Sequence, residues 1–265
     1  MTRRFPAILA ALLFASAAHA QWNAVGPGVD FQEYADSNSD VYVTRIDLTN
    51  DNIRVMATRD GERGLKVSDF ARREKALAAI NGDYFDDKFN PIGLAVGPCG
   101  LHLGVKDTPR EQVVAISDHH ASLRSQSDVI DDDDDPMDAA VSGWPAIVRD
   151  CDPLTSAELP GGNTFTRSPH PRTAVGISGN GKILYFVVAD GRRTGVPGMT
   201  LAQLARFMTD KLHVCSAVNL DGGGSAAMWV RDRIVNRPSD GVERPVGDHL
   251  AVVLKSDFIG CTPAQ

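Results

Sequence analysis

The chain has 265 residues, with 34 acidic against 27 basic side chains and a formal net charge of −7. That balance excludes nucleic acid as the natural partner, because such binders present a basic face. It also leaves any anionic ligand to be drawn by a local group of arginines rather than by the overall field. The four cysteines, Cys99, Cys151, Cys215 and Cys261, show no CxxC spacing, which argues against a zinc ribbon or a thioredoxin-like pair.

Residues 1–20 read as a secretory signal. Arg3 and Arg4 form the charged start, Ala7 to Ala18 the apolar middle, and Ala18-His19-Ala20 a small-x-small cleavage site. The apolar run is too short to span a bilayer, and no Cys follows the cleavage site to carry a lipid. The expectation is a periplasmic or secreted protein, cleaved after Ala20, with no membrane anchor in the mature chain. Cleavage removes two basic residues, taking the net charge from −7 to −9, and leaves 245 residues, enough for one domain with a substantial core. An even cysteine count in an exported chain predicts disulfides. Of the three possible pairings, Cys99 with Cys151 and Cys215 with Cys261 is the one preferred.

Residues 21–40 are polar and read as a loose lead-in to a domain over 41–265. Val41 to Leu48 alternates with period two, as does Ile53 to Thr58, and Asn50-Asp51-Asn52 between them predicts a hairpin. Ser68-Asp69 starts a short helix that gives way near Ala76 to an apolar strand ending at Ile80. The five aspartates Asp131 to Asp135 raise the question of calcium. Ligands in calcium loops alternate, whereas adjacent carboxylates diverge and repel, so the run reads as a solvated loop. Thr173 to Ile177 and Lys182 to Ala189 flank an Asn180-Gly181 hairpin turn.

Thr200 with Gln203 forms a capping box, followed by Leu201, Leu204, Ala205, Met208 and Leu212 on one helical face. Strands are expected within 226–235, split at Arg231-Asp232, and over 249–255. Strands outnumber helices and several are joined tightly. The reading is an α+β fold with a largely antiparallel or mixed sheet core, a few packed helices and a single domain.

Asn219-Leu220-Asp221-Gly222-Gly223-Gly224-Ser225 lies between two apolar strand signals. Three glycines are poor strand material but let a ligand approach bare backbone N–H groups. Five further segments complete a set: Ala79-Ile80-Asn81-Gly82-Asp83-Tyr84-Phe85, Ser142-Gly143-Trp144-Pro145-Ala146-Ile147-Val148, His170-Pro171-Arg172-Thr173-Ala174-Val175-Gly176, Val188-Ala189-Asp190-Gly191-Arg192 and Arg244-Pro245-Val246. In this order they resemble the phosphodiester glycosidase family, over about Val41 to Leu254. The resemblance implies hydrolysis of a sugar-1-phosphodiester at the sugar side, giving free sugar and a phosphomonoester.

That reaction needs cations around the phosphate and a carboxylate on the sugar side. A departing phosphomonoester has less need of the protonated carboxylic acid used by ordinary glycosidases. Arg172, Arg192 and Arg244 are the phosphate-binding candidates, because guanidinium forks pair bidentately with phosphate and stay charged. Arg193, beside Arg192, is the other residue that could point inward there. Asp221 is the first candidate for the catalytic carboxylate and Asp190 the second. Asp83 is a third, weakened because many members of the family it resembles carry a small residue there. Asn81, Thr173, Asn219 and Ser225 would hydrogen-bond sugar or phosphate, while Gly82, Gly222, Gly223 and Gly224 would give backbone access. The nucleophile elbow G-x-S-x-G is absent around Ser225, and His170 before Pro171 reads as shaping its loop. No H-E-x-x-H pattern or Cys-His cluster points to a catalytic metal, and no cofactor is expected. Two other classes stay open: a non-catalytic sugar-phosphate or polysaccharide binder, and a phosphodiesterase attacking at phosphorus.

Overall fold

A computed structural model describes residues 21–35, 38–59, 62–105, 112–117, 119–130, 137–160 and 163–261. The signal read at 1–20 and the aspartate run at 131–135 lie outside the described residues.

The longest sheet has eight strands. From one edge to the other they are β1 (Asn23–Gly26), β2 (Val29–Ala35), β3 (Asp40–Asp47), β14 (Ile183–Ala189), β13 (Arg172–Ser178), β15 (Val214–Asn219), β11 (Ala146–Arg149) and β12 (Asp152–Pro153). A second sheet runs β7 (Gly100–Leu103), β6 (Leu94–Gly97), β10 (Ala139–Gly143), β8 (Gln112–Ser117) and β9 (His120–Ser125). A third runs β17 (Arg233–Ile234), β16 (Met228–Val230), β5 (Ala78–Asn81), β18 (His249–Leu254) and β4 (Ile53–Ala57). Every strand pairing in the three sheets is antiparallel. The fold is α+β, as the sequence predicts.

The period of two explains how the layers stack. In β14, Leu184, Phe186 and Val188 enter a central core shared by all three sheets, while Tyr185, Val187 and Ala189 face the opposite way. That second face is covered by α4 (Leu201–Leu212) through Leu201, Leu204, Ala205, Met208 and Leu212. A strand buried on both faces reads as an unbroken apolar run, which is how Ile183 to Ala189 appears. The third sheet repeats the arrangement: Leu250 and Val252 join the central core, while Ala251 and Val253 pack against Val67 and Phe70 of α1 (Val67–Arg73). Two helices, α2 (Gln126–Ile130) and α3 (Asn163–Thr166), are short. The α4 capping box forms as expected, with Thr200 Oγ1 accepting from the Gln203 N–H. Helix α1 starts at Val67 behind an uncapped Lys66, and a distant Glu243 carboxylate accepts the Ser68 N–H.

Three local expectations are corrected. Within the stretch expected to be loose, residues 23–35 are ordered strand and turn: β1 and β2 extend the large sheet, with β2 paired to β3 from Val29↔Ile46 to Ala35↔Asp40. The stretches 41–48 and 53–58 do not form a hairpin. β3 pairs with β14 and β2, whereas β4 pairs with β18, so Asn50-Asp51-Asn52 turns the chain from one sheet into another. Alternation sets which faces are buried but leaves the partner open.

The disulfides are Cys99–Cys261 and Cys151–Cys215, the reverse of the preferred arrangement. Cys151 sits at the β11–β12 turn, where its N–H donates to the Cys215 carbonyl on neighbouring β15, so the sheet itself aligns that pair. Peptide mapping without reduction is expected to recover 99–261 and 151–215 cross-links. Replacing Cys151 and Cys215 together by Ser should cost about 2–5 kcal/mol of unfolding free energy, the usual range for a native disulfide.

Candidate active site

The site forms where the large and third sheets meet end to end, and a buried amide joins them. Asn81 closes β5 and is fully buried; its Oδ1 accepts from Thr173 Oγ1 on β13 (2.8 Å) and from the Ala227 N–H before β16 (3.3 Å). Its Nδ2 donates to the Asp221 carbonyl (2.7 Å), and the Asp221 N–H donates to the Gly82 carbonyl (3.2 Å). The Asp221 backbone is thereby clamped on both sides.

Beyond this clamp lies a cleft of about 260 Å³ lined by Tyr84, Phe165, His170, Pro171, Arg172, Arg192, Asp221, Gly222, Gly223, Gly224 and Arg244. All three arginines singled out from sequence line it, together with Asp221 and the glycine run.

Each arginine arrives by a different route. Arg172 starts β13 and is only 3% exposed. Its Nε donates to the Met199 carbonyl (3.0 Å), and its Nη2 to those of Phe165 (2.6 Å) and Ser168 (3.2 Å). No carboxylate pairs with it among the described residues, and burial lowers its pKa to about 10, so it remains cationic at neutral pH. Three of its five N–H donors are held by carbonyls, which fixes the plane of the fork and leaves Nη1 for the cleft.

Arg192 is exposed and has φ 56°, in the left-handed region that few non-glycine residues adopt. Its neighbour Arg193 turns the other way and pairs with Asp190 (2.9 Å) and Asp40 (3.1 Å). Arg244 is half-exposed and pairs with Asp240 (2.5 Å), an exposed ion pair of small energetic weight.

The glycine run contributes space, and part of its backbone is tied up within the turn. The N–H groups of Gly223, Ser225 and Ala226 go to the carbonyls of Pro171, Gly222 and Gly223. A Cβ at Gly222 would lie 2.7 Å from the Pro171 carbonyl oxygen, and one at Gly223, where φ is +60°, 2.9 Å from Arg192 Nη1. At Gly224 it would collide with Asp240 and Arg244. Any side chain here would displace the guanidinium groups or the turn itself.

Other sequence candidates are not brought into the cleft. The Asp190 side chain is 1% exposed and turned inward, where it accepts from Arg193, from Asn236 Nδ2 (3.1 Å) and from the Arg237 N–H (3.1 and 3.2 Å). Burial raises its pKa, with those hydrogen bonds and Arg193 acting against the shift. Asn81 and Thr173 spend their polar atoms on each other and on the clamp. Asn219 is buried, and its Nδ2 lies against Tyr84 Oη (2.7 Å) and the carbonyls of Trp144 (3.0 Å) and Leu220 (2.7 Å). Ser225 is buried and lies outside the cleft lining. A Cβ on Gly82 would strike the Asp248 carboxylate.

Asp248, which follows the Arg244-Pro245-Val246 segment, was missed in sequence. It is 1% exposed, and its Oδ1 accepts the Asp83 N–H (2.6 Å) while Oδ2 has no hydrogen-bond partner among the described residues. Burial, helped by the nearby Asp221 charge and opposed by the Asp83 hydrogen bond, raises its pKa to about 7. Tyr84 and Phe165 were missed too. Tyr84 sits inside a quoted segment and donates to the Trp144 carbonyl (3.1 Å), whereas Phe165 carries no sequence signal. His170 lines the cleft with Nε2 against the Thr164 carbonyl (2.9 Å), which makes Nε2 the protonated nitrogen. Burial chiefly, opposed by the Thr164 hydrogen bond and aided by Arg172 and Arg192, lowers its pKa. Among the described residues no group of three or more His, Cys, Asp or Glu is placed to hold a metal ion, and no helix is long and apolar enough to cross a membrane.

Comparison with known proteins finds relatives of the chain and of its fold. YomE, an SPbeta prophage-derived protein of Bacillus subtilis, is 26% identical over 201 residues, covering 72% of this chain and 30% of that protein. The N-acetylglucosamine-1-phosphodiester alpha-N-acetylglucosaminidase of Mus musculus is 38% identical over 76 residues, covering 29% of this chain and 14% of that protein. The chain thus spans less than a third of the length of either relative. Among solved structures, the zebrafish N-acetylglucosamine-1-phosphodiester alpha-N-acetylglucosaminidase catalytic domain, auto-inhibited by its pro-peptide, shares the fold. Its TM-score is 0.66 at 22% identity, over 92% of this chain and 86% of that one. A protein from Synechocystis has a TM-score of 0.64 at 14% identity, over 91% of this chain and 65% of its own. A family model described as phosphodiester glycosidase matches residues 74–253, well over half of the sequence. The chain belongs to the phosphodiester glycosidase family.

Proposed function

We propose that this protein is an exported hydrolase that cleaves the glycosidic bond of a sugar-1-phosphodiester. The observation that carries the reading is one small cleft lined by three arginines and a carboxylate, Asp221. Arg172, Arg192 and Arg244 bind the phosphate, with Arg172 fixed in orientation before substrate arrives. The C1–O bond breaks, and the phosphomonoester departs with the bonding electrons, its charge already matched by the guanidinium groups. Water adds at C1 and gives up a proton to Asp221, whose negative charge also steadies the positive charge developing on the sugar. Export is supported by the N-terminal signal pattern together with two disulfides.

The test is turnover of a panel of sugar-1-phosphodiesters in water enriched in heavy oxygen. Label is expected in the released sugar; label in the phosphate would mean attack at phosphorus and would overturn the reading. Asp221→Asn should lower the rate by roughly two to four orders of magnitude while substrate binding changes little. Arg244→Ala should weaken binding as well as turnover.

Asp190→Asn is assigned a different outcome. It should lower the midpoint of thermal unfolding, costing about 1–3 kcal/mol through its buried partners, while the folded fraction keeps most of its turnover. Abolished turnover in a well-folded Asp190→Asn protein would return Asp190 to the chemistry.

Asp248 makes stability depend on pH. Its carboxyl titrates at about 7 when folded against an ordinary 3.8, so the folded state holds a proton that the unfolded chain releases. The resulting stabilisation is complete below pH of about 4 and is lost as pH rises to about 7, at up to about 1.4 kcal/mol per unit. Asp248→Asn cannot ionise, so its unfolding midpoint relative to the parent should rise steadily across that window. A constant offset between the two proteins would refute the assignment.

A further inference from the structure

Beside the phosphate cleft lies a second cleft of about 360 Å³, lined by Gln112, Trp144, Pro145, Ala146, Arg149, Leu154, Glu158 and Pro160. The reaction above does not use it. The two clefts are joined by an aromatic pair: Phe165 lines the first, Trp144 the second, and their rings stack 5.2 Å apart at 27°. Arg172 lies over the Phe165 ring at 5.3 Å, and the Phe165 carbonyl holds Arg172 Nη2. The Trp144 carbonyl accepts from Tyr84 Oη and Asn219 Nδ2. The wall of the second cleft is thus built on the same groups that orient the arginine and shape the first.

The second cleft combines a half-buried indole and two prolines with the polar ends of Arg149, Glu158 and Gln112. Glu158 is held in place by the N–H and hydroxyl of Thr155, and those hydrogen bonds lower its pKa, so it faces the cleft as a carboxylate. An apolar plate edged by hydrogen-bonding groups of both kinds matches a pyranose ring, which has C–H faces and a rim of hydroxyls. It matches a second phosphate poorly, because Glu158 would repel one.

We propose that the second cleft is a sugar subsite, with Trp144 as its platform, which takes a further ring of a glycan carrying the phosphodiester. The preferred substrate is then an oligosaccharide or polysaccharide phosphodiester rather than a single sugar with a small aglycone. This inference rests on the glycosidase reading for its substrate, but the subsite itself can be tested without turnover.

Calorimetric titration with phosphate-free oligosaccharides of N-acetylglucosamine and of mannose should detect binding to the parent protein by at least one series. Trp144→Ala should weaken that binding about tenfold or more, and Arg149→Ala, a surface change unconnected to the arginine cradle, should weaken it several-fold. Trp22→Ala should leave it unchanged. In turnover, Arg149→Ala should raise KM for oligosaccharide phosphodiesters and leave it unchanged for a single-sugar phosphodiester. If single-sugar phosphodiesters are hydrolysed but no oligosaccharide binds, or Arg149→Ala affects long and short substrates equally, the subsite is refuted and the activity stands. If oligosaccharides bind through Trp144 and no phosphodiester is cleaved, the subsite stands and the glycosidase reading falls.

Discussion

The Asn81 side chain is the interaction on which the site depends. It sits where the third sheet ends against the large one, and its amide reaches both: Thr173 on β13, the Ala227 N–H leading into β16, and the Asp221 carbonyl after β15. In a fully buried position each of these hydrogen bonds is enforced, because an orphaned amide atom would cost about 1–3 kcal/mol. The two sheets are therefore locked in relative position at the end that carries the cleft. Asp221 inherits its place from that lock.

From this anchored point the cleft is built by exclusion of volume. Gly222 lies against the Pro171 carbonyl, where a side chain would strike backbone, while Gly223 and Gly224 lie against the Arg192 and Arg244 guanidinium groups, which a side chain would push aside. Charge is then concentrated on an otherwise acidic protein. Arg172 is buried without a carboxylate partner among the described residues and oriented by three carbonyls, so its guanidinium is already desolvated and aligned. Arg192 and Arg244 stay closer to solvent. The site thus grades from a buried, oriented cation to solvent-exposed ones.

Much of this was legible in the sequence. The α4 capping box and the β13–β14 hairpin are local patterns, and local patterns survive folding. Six short segments in order were enough to place the chain in its family. The arginines could be named because each lies in a segment that resembles the family and a guanidinium fork suits phosphate. Asp248 and Phe165 were not legible: one is a carboxylate beside a strand start, the other an aromatic in a four-residue helix, and neither has a distinctive local context.

The sequence by itself determined the alternation of apolar residues, the turns and caps, and the residue types at the cleft. Tertiary structure alone decided partners. It sent β3 and β4 into different sheets, paired Cys99 with Cys261, and turned Asp190 inward to Arg193 and Asn236 while Asp221 faced the cleft. The reason is physical. A carboxylate or amide has the same chemistry in a core and in a site, and its role is set by which groups the folded chain brings within about 3 Å.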